Sequence, residues 1–190
     1  MYYPVGLNVA GRRCVVIGPP DDREAREKVA ALRDAGADVV WLPDAAAVSE
    51  DDVAAAFLVV STPQDATLSA RLRDWAERRR FLLCAIDQPD YGSVAMQAVV
   101  AAGPARIGIS TGGVSPRVGG ILRAALTQAL DATFVRFLAR LAERRRIVRE
   151  EHPGDAAARR AAAMAAAEGF AARVELTYPD WFRAETGESL

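Results

Sequence analysis

Apolar and polar positions alternate in blocks along the first half of the chain. "RRCVVIG" (12–18) is a short apolar run ending in a turn signal, the pattern of a buried parallel strand. From Asp22 to Ala35 the apolar positions Ala25, Val29, Leu32 and Ala35 recur at helical spacing, and Gly36 stands at the helix stop. "ADVVWLP" (37–43) predicts a second strand. After an acidic link, "AAAFLVVST" (54–62) predicts a third strand behind a brief helical approach. Thr67 to Arg80 carries Leu68, Leu72 and Trp75 on one helical face, and "RFLLCAID" (80–87) predicts a fourth strand. Strand and helix alternating at this rhythm predict βαβ units and a parallel sheet.

The rhythm changes after Asp87. The turn Gly103-Pro104 leads into the predicted strand "ARIGIST" (105–111). A helix then opens with Ser115 as N-cap and Pro116 at its first position. Its apolar stripe runs from Val118 through Leu126 to Leu141, which is too long for one small surface helix and reads either as two helices or as a dimer seam. "HPGD" (152–155) breaks the pattern, and Asp155 can cap an alanine-rich helix ending near Gly169. The basic run "AERRRIVRE" (142–150) mixes arginine with glutamate, which reads as a solvated face with i,i+4 pairs ahead of an anion-binding role.

Composition narrows the class. The chain has 190 residues, 51% of them hydrophobic and 26% charged, which suits a folded globular protein. A formal net charge of −1 gives no global field for nucleic acid. No apolar run reaches the roughly 20 residues needed to span a bilayer, and the N-terminal "MYYPVGLNVAGRR" lacks the form of a secretory signal. The expected location is therefore cytoplasmic. Cys14 and Cys84 lie in strand-like runs and read as buried thiols, and with His152 as the one histidine no structural zinc site can be assembled.

Four stretches carry a resemblance: "YYPVGLNVAGRRCVVIG", "KVAALRDAGADV" (28–39), "CAIDQPD" (84–90) and, most specifically, "ISTGGVSPRVGGILRAAL" (109–126). Over residues 2 to 130 the chain resembles the siroheme-synthase family of precorrin-2 dehydrogenases and sirohydrochlorin ferrochelatases. The resemblance implies an α/β fold: a Rossmann-like parallel sheet (1–103), a dimerisation segment (104–140) and a helical C-terminal domain (141–190). It further implies a homodimer with NAD as hydride acceptor, a tetrapyrrole as substrate, and a divalent metal, Fe or Co, as a second substrate rather than a bound cofactor. Asp87 takes the position of the family's catalytic aspartate and Ser115 that of its pocket serine. Ser110, Thr111, Gly112, Gly113 and Arg117 surround Ser115, while Gly18, Arg23 and Thr62 fall where the coenzyme would lie.

The chain departs from the family at "GPPDDRE" (18–24). A glycine-rich first turn lets pyrophosphate approach free N–H groups at a helix N-terminus. Pro19 and Pro20 each remove an N–H, and Asp21, Asp22 and Glu24 place negative charge where the pyrophosphate would sit. These residues argue for a self-capped helix and against NAD at this turn. The stretch from Trp41 to Phe57 is also short, with one sheet element expected to be missing or reduced.

At Asp87 the carboxylate is expected in a partly desolvated crevice, where its proton affinity would rise. The "STGGVSPR" turn (110–117) offers backbone donors and a cation for a substrate with several carboxylates. On these residues metal insertion survives better than NAD-dependent oxidation. The competing expectations are an intact NAD-dependent precorrin-2 dehydrogenase, a non-catalytic tetrapyrrole carrier, and a dimeric scaffold without ligand.

Overall fold

A computed structural model describes residues 2–186 of the chain. They form two compact units: 2–101 with 105–129, and 102–104 with 130–186. In the first unit, strands β1 (Arg13–Ile17), β2 (Asp38–Leu42), β3 (Leu58–Ser61) and β4 (Leu82–Ala85) make one parallel sheet in the order β2-β1-β3-β4. Helix α1 (Arg23–Asp34) joins β1 to β2, α2 (Glu50–Val53) leads into β3, and α3 (Ala66–Arg79) joins β3 to β4. This is the Rossmann-like architecture. The segment between β2 and β3 holds a short 3-10 turn (Ala45–Ala47) and α2, with no strand outside β2.

Alternate strand residues face opposite ways, and both faces of the sheet are covered. Val15, Ile17, Val59 and Leu83 pack with Val53 of α2 and Leu68, Leu72 and Trp75 of α3. Cys14, Val16, Val60 and Cys84 pack on the other face with Ala25, Val29 and Leu32 of α1. Both cysteines are buried free thiols, and burial raises the pKa of each. Side chains at the helix starts fix the entries. The Asp22 carboxylate accepts from Glu24 N at 2.8 Å, and that of Asp65 accepts from Thr67 N and Leu68 N at 2.8 and 3.1 Å. At the open edge of β4, the N–H groups of Ser93 and Val94 both donate to Leu83 O, at 2.8 and 3.0 Å.

The chain then forms a hairpin of β5 (Ala98–Ala102) and β6 (Ala105–Ile109), turned at Gly103-Pro104. Helix α4 (Pro116–Ala129) completes the first unit. The long apolar stripe resolves into two helices, because Asp131 caps α5 (Ala132–Glu151) by accepting from Thr133 N and Phe134 N at 2.8 and 2.9 Å. Helix α5 runs unbroken through residues 140 and 141.

In the second unit, Asp155 caps α6 (Ala156–Ala166), as its position after "HPG" predicts. Phe170 stacks on Phe137 of α5 with ring centroids 5.2 Å apart. The periodicity does not anticipate α7 (Asp180–Thr186). Among the described residues, no helix is long and apolar enough to cross a membrane.

Leu72 is fully buried between α3 and the sheet. Leu72→Ala is expected to cost about 2–5 kcal/mol in urea unfolding, with cooperativity retained. A loss below about 1 kcal/mol would show that this face is not the tight core described.

Candidate functional site at the carboxyl edge of the sheet

The chain passes from β1 to β2 over one face through α1, and from β2 to β3, on the far side of β1, over the other face through α2. The carboxyl ends of β1 and β3 therefore flank the topological switch point, where open α/β sheets collect ligands. Gly18 ends the first strand and Thr62 ends the third, and Thr62 N donates to Ile17 O at 3.0 Å. A side-chain carbon on Gly18 would collide with the Thr62 hydroxyl and press on the Ala25 methyl. The glycine is required here for close packing within the protein.

The turn that follows is filled from within. Pro20 takes the second position of a tight turn closed by Asp22 N donating to Pro19 O at 3.1 Å, a position for which its fixed φ is suited. The turn delivers Asp22 to the mouth of α1. One carboxylate oxygen accepts from Glu24 N at 2.8 Å, and the other accepts a short hydrogen bond from the Thr62 hydroxyl. The Thr62 bond is the main reason the Asp22 carboxyl is held below the usual range; backbone N–H groups add to it and partial burial opposes it. Thus the Glu24 N–H at the helix start and the Thr62 hydroxyl after β3 both serve one internal carboxylate.

Neighbouring cations are turned to other work. Arg23 pairs with Glu27 at 2.7 Å along its own helix, while Arg26 donates to Pro20 O at 2.7 Å and clips the turn shut. Trp41, at the end of β2, donates from Nε1 to Gly18 O at 2.8 Å. The residues present therefore do not fit the pyrophosphate of a dinucleotide. The sequence had already placed Gly18, Arg23 and Thr62 near this edge; it did not foretell the Thr62–Asp22 bond or the role of Trp41. The indole at the end of β2 was the one available sign.

Asp87 lies two residues beyond β4, at the same carboxyl edge. Its backbone is left-handed, with φ 57°, a conformation uncommon outside glycine and tolerated best by Asp and Asn. Gln64 Nε2, from the loop after β3, donates to its carboxylate at 3.2 Å. The expected desolvated crevice is corrected here: the Asp87 side chain is exposed, because the loop carrying it ends at the rim of the sheet. Beside it, Gln88 Oε1 is buried and has no hydrogen-bond partner among the described residues. Such an orphan acceptor is uncommon in a settled structure and recurs at functional sites.

The turn from Ser110 to Arg117 is organised by its own hydrogen bonds. Ser110 Oγ accepts from Gly112 N at 3.2 Å, and Thr111 Oγ1 accepts from Ser115 N at 3.3 Å. Ser115 Oγ accepts from Val118 N at 3.3 Å, which makes Ser115 the N-cap of α4 as expected. Gly112 and Gly113 have φ 63° and 83° with open space around both, so the pair is required by backbone conformation and not by packing. Arg117 stands exposed, with no ion-pair partner among the described residues. The Asp87 bond and the bonds of this turn form separate groups.

A family profile described as "Putative NAD(P)-binding" matches residues 5–98. Similar proteins include the siroheme synthase of Nitrosococcus oceani, 28% identical over 71% of this chain and 32% of the relative. The siroheme synthase of Nitrosospira multiformis is 27% identical over 84% of this chain and 38% of the relative. The profile and these relatives support a place in the siroheme synthase N-terminal and precorrin-2 dehydrogenase family. It spans about a third of the length of the curated relatives it matches. The solved structure "SirC, precorrin-2 dehydrogenase" shares this fold, with a TM-score of 0.67 at 17% identity, covering 88% of this chain and 90% of that one.

The sign of the Asp22 effect is testable. A depressed folded-state pKa means that the carboxylate stabilises the fold above its unfolded pKa of about 3.9, and that this contribution is lost as pH falls through the folded value. Thr62→Val is expected to move the Asp22 pKa upward by NMR titration and to lower stability by about 1–2 kcal/mol at neutral pH. An unchanged Asp22 titration would show that the threonine does not hold the carboxylate.

Proposed function

We propose that the chain acts in siroheme biosynthesis on a tetrapyrrole, and that within this class it inserts a divalent metal, Fe or Co, in preference to oxidising its substrate with NAD. The family supports the pathway, and one observation supports the preference: the Asp22 carboxylate takes the Glu24 N–H and the Thr62 hydroxyl and sets its own negative charge at the helix start, where a dinucleotide pyrophosphate would bind. Metal insertion needs no such cradle. It replaces two pyrrole N–H protons of the macrocycle with one divalent cation. Asp87, held by Gln64 and open to solvent at the sheet edge, accepts one of these protons, and the second passes to water. The glycine turn and Arg117 face solvent and take the peripheral carboxylates of the ring.

The matched profile's description favours a second reading, an NAD-dependent precorrin-2 dehydrogenase. Absorbance of sirohydrochlorin mixed with the protein and Co²⁺ separates the readings. Metal-dependent spectral change that falls about a hundredfold in Asp87→Ala is the expected result. A spectral shift without turnover would identify a carrier. NAD binding in the micromolar range would overturn the reading of the turn.

The same reading includes a homodimer. Val118 and Ile121 on α4 and Val99 on β5 leave 48%, 59% and 50% of their surfaces exposed, more than isolated apolar residues usually require. Ile121→Asp is expected to convert a dimer to a monomer in sedimentation velocity. A wild-type chain that sediments as a monomer at micromolar concentration would remove the dimer from the proposal.

A further inference from the structure

The basic run on α5 divides into two populations. Arg146 is held by Glu143 and Glu150 at 2.8 and 2.7 Å, the solvated arrangement that the sequence predicts for the whole run. Arg144, Arg145 and Arg149 do not share it: they have no hydrogen-bond or ion-pair partner among the described residues. On α6, Arg160 is likewise unpaired among those residues, and Arg159 gives one nitrogen to the carbonyls of His152 and Pro153, at 2.6 and 2.8 Å.

These five arginines converge. Positions 141, 144, 145, 148 and 149 recur at the spacing of one helical face. They line one cleft of about 390 Å³ together with residues of α6, wholly within the second unit. Its remaining lining is apolar, from Leu141 and Val148 on one side to Ala163 and Ala166 on the other, and no carboxylate lines it. A groove between packed helices is ordinarily apolar, and guanidinium groups gathered along one repel. Arg144, Arg145, Arg149 and Arg160 are exposed and solvated, so an added anion entering the cleft would meet several accessible cations and no lining carboxylate.

We propose that the cleft between α5 and α6 is a binding site for a compact polyanion carrying an apolar body. Guanidinium forks from two helices take its carboxylate, sulfonate or phosphate groups, and the leucine, valine and alanine floor takes its ring system. The volume falls within the range of small-molecule sites. None of its residues is shared with the sheet edge, so it stands whether or not the tetrapyrrole reading holds.

Fluorescence titration of the full chain with pyrenetetrasulfonate, a planar tetra-anion, tests the site, with inorganic pyrophosphate as an anion lacking the apolar body. One-to-one binding with a dissociation constant on the order of micromolar is expected, with pyrophosphate about tenfold weaker or more. Arg145→Gln/Arg160→Gln, which removes one cation from each helix, is expected to weaken binding about tenfold. Arg146→Gln, the same change at the paired arginine, is expected to alter it by less than about twofold. Glutamine keeps the helix propensity; if the double variant loses helical circular dichroism, the two single variants carry the comparison. Equal losses in Arg146→Gln and the double variant, no binding by the wild type, or pyrophosphate binding as tightly as the aromatic probe would each overturn the site.

Discussion

The hydrogen bond from the Thr62 hydroxyl to the Asp22 carboxylate joins the end of β3 to the mouth of α1, across the switch point of the sheet. Several features follow from it. Gly18 must lack a side chain because the threonine hydroxyl occupies the space beside it. The proline turn must be tight, because it has to bring Asp22 back over the helix start. The Glu24 N–H of the first turn is satisfied within the chain, and the Asp22 carboxylate sets a negative charge against the positive end of α1. A dinucleotide would have to displace a carboxylate held by both a hydroxyl and backbone donors, while bringing like charge of its own. The ligand chemistry left to this edge is that of Asp87.

The sheet explains why that edge is the place to look. Both faces are covered by helices and the β4 edge is covered by residues 93–94, so polar groups gather at the strand ends. Asp87 stands there in a left-handed backbone with an unpartnered amide oxygen beside it. The second unit uses a different device: charge collected on two facing helices, over an apolar floor. Fixed cations at α5 and α6 and a single exposed acid at the sheet edge suit different ligands and different tasks.

Much of the fold is legible in the residues because each element carries both a periodic pattern and a punctuating residue. Helix α1 shows Val29 and Leu32 at helical spacing, Asp22 before it and Gly36 after it, and it forms between those limits. Strands β1 and β3 read as apolar runs because both faces are buried. Strand β5 is missed because "AVVAA" is short, rich in alanine and only half buried. The long stripe resolves at Asp131, where a carboxylate caps a new helix; an aspartate inside an apolar pattern is equally compatible with one helix until its partners are known. The exposure of Asp87 was misjudged for a related reason: a residue at the end of a buried strand inherits the strand's burial only if its loop folds inward.

Sequence alone determined the order of the four parallel strands and the helices between them, the caps at Ser115 and Asp155, the free thiols and the loss of a glycine-rich turn, since these depend on contacts between near neighbours or on composition. Only tertiary structure decided that Thr62, 40 residues from Asp22, supplies the bond that seals the turn. It also decided that one arginine of the basic run is paired while the other three line a cleft with arginines of the next helix. Hydrogen bonds and charge pairs between distant residues depend on which strand ends and helix faces meet, and local periodicity carries no record of that meeting.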